Sequence, residues 1–325
     1  MTNVARCATA MVKKAQLLEL PFKLQFAVGG PYEILELTDR AMAPMVQALA
    51  PLKDHSDWLW DFHINGQIRS LKFELHKQPR TARNITNAEY HQDLLDNFTR
   101  WQRFFDRPSS GAFFKCGVFE QNGGTHDLGR ALGNARNSVT LQSMGNIVRM
   151  VTGANALQLM GHNDNGWDQP QIMVTPNASI LTPYGQSNVL LKESWQPTAV
   201  HSGVSPADAT NTTQIFFLAT RNGSALNLRV VNLNTSAVHV RFSWAETAEA
   251  SVCMNGGSGG GGSNMASVRV LSADSLEAVN TPAQPERVSI VDGTSLPINN
   301  NSAIDYSAPK FSISVITVAL VDCVK

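Results

Sequence analysis

The chain has 325 residues, of which 43% are apolar and 16% charged, and its 26 basic and 26 acidic side chains leave no net charge. This length predicts about two domains and a substantial core. Nucleic acid is not expected as a partner, because phosphate backbones require a clustered basic surface. No apolar run approaches the ~18 residues of a membrane span, so a membrane is not expected either. A neutral partner such as a sugar fits this balance.

The cysteines and histidines predict neither a metal site nor a redox motif. The four cysteines are scattered without the CxxC spacing of zinc and dithiol sites. The eight histidines show no paired spacing of metal ligands.

Two features indicate different compartments. Met1–Lys14 lacks the apolar segment and cleavage site of a signal peptide. Several Asn-x-Ser/Thr sequons, such as Asn177 and Asn222, nevertheless suit a glycosylated, secreted protein. A secreted protein whose start is missing satisfies both observations, so we expect the full-length form to be extracellular.

Strands and helices alternate through the first half of the chain. Strand patterns with β-branched and aromatic residues are followed by segments with apolar residues at helical spacing, and this alternation predicts a parallel sheet or barrel. The predicted strands are Pro21–Gly30, Trp58–Ile64, Phe113–Glu120 and Asn146–Ala156, and the predicted helices are Ala8–Leu20, Tyr32–Leu49, Leu94–Phe105 and Thr125–Met144.

One stretch, Phe113–Gly124, joins a strand, a carboxylate and a glycine turn. Its apolar strand leads into Glu120, then into Asn122-Gly123-Gly124, and a helical pattern follows. Catalytic residues of (β/α) barrels lie at the carboxyl ends of strands, just before such loops. Glu120 is therefore a candidate catalytic residue, with a solvated loop glutamate as the alternative.

From about Thr213 the predicted secondary structure changes to short strands separated by Asn-Gly, Gly-rich or Pro-containing turns. Evenly spaced short strands without a helical period predict an antiparallel sandwich, with Phe311–Val321 as a central strand and Gly256–Gly262 as a flexible surface loop. The other predicted strands are Gln214–Thr220, Ala225–Val231, Ala237–Trp244, Ala266–Leu271 and Arg287–Val291.

The chain carries an ordered series of short motifs, which are Pro21–Phe26, Asp57–Ile64, Phe114–Glu120, Gly124–Met150, Trp167–Pro170 and Leu181–Tyr184. From about Leu18 to the end of the chain, this series resembles glycoside hydrolase family 51, the α-L-arabinofuranosidases. The resemblance implies the second half of a (β/α)8 TIM barrel in residues 1–190 and a C-terminal jelly-roll-like β-sandwich in residues 191–325.

The resemblance also implies roles for individual residues. Glu120 matches the nucleophile at the end of the seventh barrel strand, although Gln121 replaces the aromatic residue that usually follows. Asp61 and His63 match an Asp-x-His pair on the sixth strand that positions the sugar. Trp167 matches a Trp-x-Pro loop that shapes the pocket.

One departure from the family concerns the general acid. The family provides this second carboxylic acid in a Gly-Asn-Glu motif at the end of the fourth strand, and here Gly29-Gly30-Pro31-Tyr32-Glu33 stands in its place. Glu33 is the only substitute nearby. The first three strands of a barrel also have no counterpart upstream, so the resemblance implies a truncated or degenerate relative.

Three functions follow from these patterns. The resemblance implies retaining hydrolysis of terminal α-L-arabinofuranosyl residues of arabinan or arabinoxylan, with no metal or organic cofactor. The second function is a non-catalytic carbohydrate-binding or structural protein, with Trp195 or Trp244 stacking on sugar faces. The third is an acid–base enzyme using His126-Asp127, a pair that helix N-terminal charge explains more simply. The oligomeric state stays open.

Overall fold

The computed structural model describes residues 2–21, 24–28, 52, 56–65, 86–105, 114–161, 168–203, 213–244, 265–299 and 303–320. The chain divides into two units, one of residues 1–64, 91–121 and 144–153 and the other of residues 65–90, 122–143 and 154–325. The domain boundary between residues 190 and 191 stays a prediction.

The first unit is built on a four-stranded sheet in the order β1-β2-β3-β4. β1 pairs with β2 in parallel, and β3 pairs with β4 in parallel. All four strands predicted in the first half of the chain therefore lie in one sheet, with the parallel pairing that their alternation with helices indicated. Their bounds are Leu24–Val28 (β1), Ser56–Asn65 (β2), Phe114–Asn122 (β3) and Val148–Gly153 (β4).

Two helices begin earlier than their apolar patterns predicted. Helix α1 spans Thr2–Leu17, and helix α2 spans Asn87–Phe105 rather than starting at Leu94. The α2 start is a capping box: the Thr86 N–H donates to Glu89 Oε2 at 2.8 Å, and the Glu89 N–H donates to Thr86 Oγ1 at 3.2 Å. These reciprocal bonds satisfy N–H groups at the helix start that would otherwise lack partners, so the helix begins at Asn87, before the predicted start at Leu94.

Two further helices lie in the second unit. Helix α3 spans Leu128–Gln142, within the predicted segment, and helix α4 spans Pro183–Glu193. The predicted helix Tyr32–Leu49 lies outside the described residues. None of the helices in the described ranges is long and apolar enough to cross a membrane.

The second unit is dominated by antiparallel strands. A seven-stranded sheet has the order β13-β12-β16-β10-β9-β8, with β14 also on β12, and two smaller sheets are β11-β15 and β5-β6-β7. The bounds are Leu157–Leu159 (β5), Ile172–Val174 (β6), Ser179–Leu181 (β7), Thr198–Val200 (β8), Ile215–Arg221 (β9), Ala225–Asn232 (β10), Val238–Ser243 (β11), Met265–Ser272 (β12), Ile290–Asp292 (β13), Leu296–Pro297 (β14), Ala303–Ala308 (β15) and Ser312–Ala319 (β16).

The seven-stranded sheet has two different faces. Leu226, Leu228 and Val230 of β10 join a core that includes Ile304 and Tyr306 of β15. This core confirms the predicted sandwich. β16 lies between β12 and β10 and is buried along most of its length, so its prediction as a central strand is also confirmed. The predicted loop Gly256–Gly262 lies outside the described residues.

Helices α3 and α4 belong to the other face of this sheet, where Asn227 and Arg229 of β10 are buried. The Asn227 amide donates to the carbonyl of Ser194 at 2.8 Å, just after α4. The Arg229 guanidinium donates to that carbonyl and to Gln142 Oε1 at the end of α3. Alternation along β10 therefore gives an apolar face for the sandwich core and a polar face that anchors helix ends.

We expect Ile316→Ala to lower the free energy of unfolding by about 2–5 kcal/mol, because it removes a fully buried side chain from the sandwich core. Ile316 is 0% exposed, whereas Val291 on the edge strand β13 is 53% exposed. Urea unfolding of Ile316→Ala, with Val291→Ala as the control expected to stay within about 0.5 kcal/mol of wild type, checks this. Equal losses in the two variants would contradict the placement of β16 at the centre.

Candidate functional site

Glu120 lies near the end of β3, in an irregular part of the strand. Val118 pairs with Val151 and Gln121 pairs with Gly153, so β3 carries two residues between these pairs where β4 carries one. An extra residue of this kind bends a strand and redirects its side chains, and such features are common beside active sites. Glu120 is half-buried, while Val118 is 0% exposed and Gln121 3% exposed.

The other sequence-predicted site residues are placed only in part. Asp61 and His63 belong to β2, the neighbour of β3, so the fold puts their strand directly beside that of Glu120. Glu33 and Trp167, together with the side chains of Asp61 and His63, lie outside what the structure describes. Their proposed roles stay predictions.

Cys116, on the same strand as Glu120, is a buried thiol. Its side chain is 4% exposed, and its backbone N–H donates to the Ile147 carbonyl at 2.9 Å. Burial raises the pKa of Cys116 to about 12, which the nearby Lys115 opposes only in part. The folded protein therefore holds a proton at this thiol that the unfolded chain releases at lower pH.

Because of this thiol, we expect the free energy of unfolding to change with pH in the alkaline range. The stabilisation that comes from keeping this thiol protonated is fully present below pH 9, near the pKa of cysteine in the unfolded chain, and it is lost as the pH rises towards 12. Within that window we expect the free energy of unfolding to fall by up to about 1.4 kcal/mol per pH unit because of Cys116. Denaturant unfolding from pH 8 to 11 in wild type and Cys116→Ala measures the difference in slope. Identical slopes would show that the thiol does not remain protonated.

In the second unit, the loop after β3 is held by the side chain of Gln169. The Gly123 N–H donates to Gln169 Oε1 at 2.9 Å, and Gln169 Nε2 donates to Asn122 Oδ1 at 3.3 Å. Gln169 is itself 5% exposed. A buried amide that binds both an N–H and a side-chain oxygen fixes the first residues of the turn.

Arg130, in the first turn of α3, joins this loop to two other segments. Its guanidinium donates to the carbonyls of Gln169 and Ala154 and lies 4.1 Å from the ring centre of Tyr184 in α4. The side chain is 0% exposed. Burial lowers the pKa of Arg130 to about 10, opposed by Tyr184, by Asp127 and by other nearby groups. The group is still a cation at neutral pH.

The N-terminus of α3 is satisfied entirely by protein groups. Asp127 is the N-cap and accepts from the Arg130 N–H at 2.9 Å. The N–H groups of Leu128 and Gly129 donate to the carbonyls of Ala278 and Leu276 at 3.0 and 2.8 Å. With these donors occupied, the helix end is not an anion site.

The third function considered, acid–base chemistry by His126-Asp127, is not supported by this geometry. Asp127 acts as the helix cap and accepts from Thr125 Oγ1 at 2.6 Å. His126 lies beside another carboxylate, with Nδ1 2.9 Å from Asp168 Oδ2. The simpler explanation of Asp127, negative charge at a helix N-terminus, is the one that the structure shows.

The two tryptophans considered as sugar platforms differ in their surroundings. Trp244 is half-buried and packs against the sandwich core, so its role is structural. Trp195 is 59% exposed. Of these two tryptophans, Trp195 is therefore the one that presents its indole to solvent. The described residues contain no group of His, Cys, Asp and Glu that could hold a metal ion.

The model of the α-L-arabinofuranosidase C-terminal domain family matches residues 119–312. This match covers more than half of the chain. The chain belongs to this family. A search of curated proteins found no match.

Solved structures show the same fold. An α-L-arabinofuranosidase of Thermotoga maritima in complex with arabinose superposes with a TM-score of 0.66 at 18% identity, over 97% of this chain and 61% of that one. The family 51 enzyme of Thermotoga petrophila superposes with a TM-score of 0.64 at 17% identity, over 97% of this chain and 62% of that one. The family 51 enzyme of Bifidobacterium longum superposes with a TM-score of 0.61 at 12% identity, over 98% of this chain and 62% of that one. The resemblance to family 51 is thereby confirmed, and the chain spans about three-fifths of the length of these relatives.

Arg130 also constrains the turn after Glu120. A Cβ atom built on Gly123 would lie 2.6 Å from Arg130 Cδ and 2.8 Å from Cγ. The arginine cannot swing away without giving up its carbonyl partners. Sequence reasoning identified the glycine turn but not this reason for it, because the contact depends on where the buried arginine lies.

We expect Gly123→Ala to destabilise the protein by about 1–3 kcal/mol through overpacking against Arg130. Gly223, in the turn between β9 and β10, is the matched control, because a Cβ there meets nothing within 4 Å. Gly223→Ala should stay within about 1 kcal/mol of wild type. Thermal unfolding of both variants makes the comparison. A Gly123→Ala protein as stable as Gly223→Ala would show that the arginine is free to move.

Proposed function

We propose that the chain is the C-terminal part of a retaining α-L-arabinofuranosidase with Glu120 as its nucleophile. The observation that carries the proposal is the position of Glu120, half-buried in an irregular strand end of a sheet with parallel pairs. Membership of the α-L-arabinofuranosidase C-terminal domain family supports it. We also propose that this four-stranded sheet is part of a (β/α)8 barrel.

The proposed reaction has two steps. Glu120 attacks the anomeric carbon of a terminal α-L-arabinofuranosyl residue, the bond to the leaving oxygen breaks, and a covalent glycosyl-enzyme forms. Water then hydrolyses this ester and returns the free carboxylate. Asp61 and His63 position the sugar, and Trp167 shapes the pocket. Arabinan or arabinoxylan is the proposed substrate, and the reaction requires no cofactor.

A retaining mechanism also needs a second carboxyl group, roughly 5–5.5 Å from the nucleophile, to protonate the leaving oxygen. Glu33 is the candidate, in place of the family's Gly-Asn-Glu motif. General acid catalysis contributes about 10²–10⁴-fold. This contribution matters most for a sugar leaving group, whose alkoxide is a poor leaving group, and least for a nitrophenolate.

The second candidate function is carbohydrate binding without catalysis. The exposed indole of Trp195 favours it, as does the absence of Gly-Asn-Glu from the sequence. In the first function Glu120 forms a covalent bond to the sugar, whereas in the second function it does not react.

Hydrolysis of an aryl arabinofuranoside distinguishes these candidates. We expect slow release of nitrophenol by the chain and no release above background by Glu120→Gln, because the amide cannot form the glycosyl-enzyme. If the general acid is missing, release of arabinose from arabinan should be much slower than release of nitrophenol from the aryl substrate. The measurement is initial rate on both substrates at equal enzyme concentration.

Two controls complete this experiment. Asp274→Asn removes an exposed carboxylate from the segment after β12 and should leave the rate on the aryl substrate unchanged. Rapid hydrolysis of arabinan that falls in Glu33→Gln would identify Glu33 as the acid. Equal aryl rates in wild type and Glu120→Gln would overturn the assignment of the nucleophile.

A further inference from the structure

Trp195, directly after helix α4, is an exposed indole on an immobilised backbone. Its side chain is 59% exposed, but the residues on both sides are buried: Ser194 is 7% exposed and Gln196 8%. A large aromatic side chain normally buries its area in a core or an interface. Trp195 is therefore presented to solvent by a segment that is otherwise part of the interior.

The backbone around Trp195 is held from several directions. The Trp195 N–H donates to the Lys192 carbonyl at 3.0 Å. The Ser194 carbonyl accepts from Asn227 and Arg229, both buried on β10. These contacts remove most of the freedom of the segment before any ligand arrives, and a preorganised group binds at a lower entropic cost.

Exposed residues, some of them polar, lie on both sides of Trp195 in the sequence. Lys192 and Glu193 precede it and are exposed, and Pro197 and Thr198 follow it, also exposed. A flat aromatic face with hydrogen-bonding groups beside it matches a sugar ring, which has a C–H face and a rim of hydroxyls.

We propose that Trp195 is a binding platform for a polysaccharide chain on the sandwich unit. The indole stacks on the C–H face of a sugar ring, and the neighbouring polar side chains bind its hydroxyls. The choice of a neutral, arabinose-containing polysaccharide as the ligand rests on the proposed function. The platform itself belongs to the second unit, whereas Glu120 belongs to the first.

Affinity electrophoresis in gels containing soluble arabinan or arabinoxylan tests the proposal without requiring hydrolysis. The full chain is run in excess free arabinose, which occupies any pocket for a single sugar. We expect retardation by the polymer, weakened about three- to tenfold in apparent affinity in Trp195→Ala and largely restored in Trp195→Phe. Met265→Ala, which shortens another exposed apolar side chain at 41% exposure, should behave as wild type.

Each outcome bears on the platform separately from the catalytic proposal. Retardation that is kept in Glu120→Gln and lost in Trp195→Ala supports the platform, whatever the aryl substrate shows. Equal retardation of wild type and Trp195→Ala, or no retardation in either polymer, overturns the platform and leaves the assignment of Glu120 to its own assay. Thermal unfolding midpoints of all variants exclude misfolding as the cause of a loss.

Discussion

The buried Arg130 guanidinium is the constraint on which the loop after β3 depends. It is a cation with 0% exposure, and its partners are main-chain carbonyls and the ring of Tyr184. Burying a cation costs free energy unless its donors find acceptors. The segments that carry those acceptors must therefore stay in place, and the turn beneath must be glycine.

The sandwich stabilises the helices as well as its own core. One face of β10 is apolar, while Asn227 and Arg229 on the other face bind the chain at the end of α4. The carbonyls of Leu276 and Ala278 cap the start of α3. Both ends of the helical layer thus depend on strands or loops that come much later in the sequence. The family match over residues 119–312 includes both helix α3 and most of the sandwich.

Local patterns predicted these strands well, because the alternation of apolar and polar residues along a strand can be read from residues that are close in sequence. β9, β10, β12 and β16 all lie where their apolar residues indicated. Helix α4 was missed, although Thr182 as N-cap and Pro183 at the first position are helix-start signals. The roles of Arg130 and Arg229 were not predictable, since their partners lie far away in sequence.

The irregularity in β3 explains why strand alternation does not decide the role of Glu120. In a regular strand, Glu120 would share the face of Val118, which is completely buried, and a carboxylate at that depth would lose its hydration. The extra residue shifts the register at this point, where Gln121 is buried and Glu120 is half-buried. A nucleophile needs this intermediate position: enough burial to be held in one orientation, and enough exposure for a sugar to reach its oxygen. The half-buried position of Glu120 is therefore compatible with the catalytic role that we propose for it.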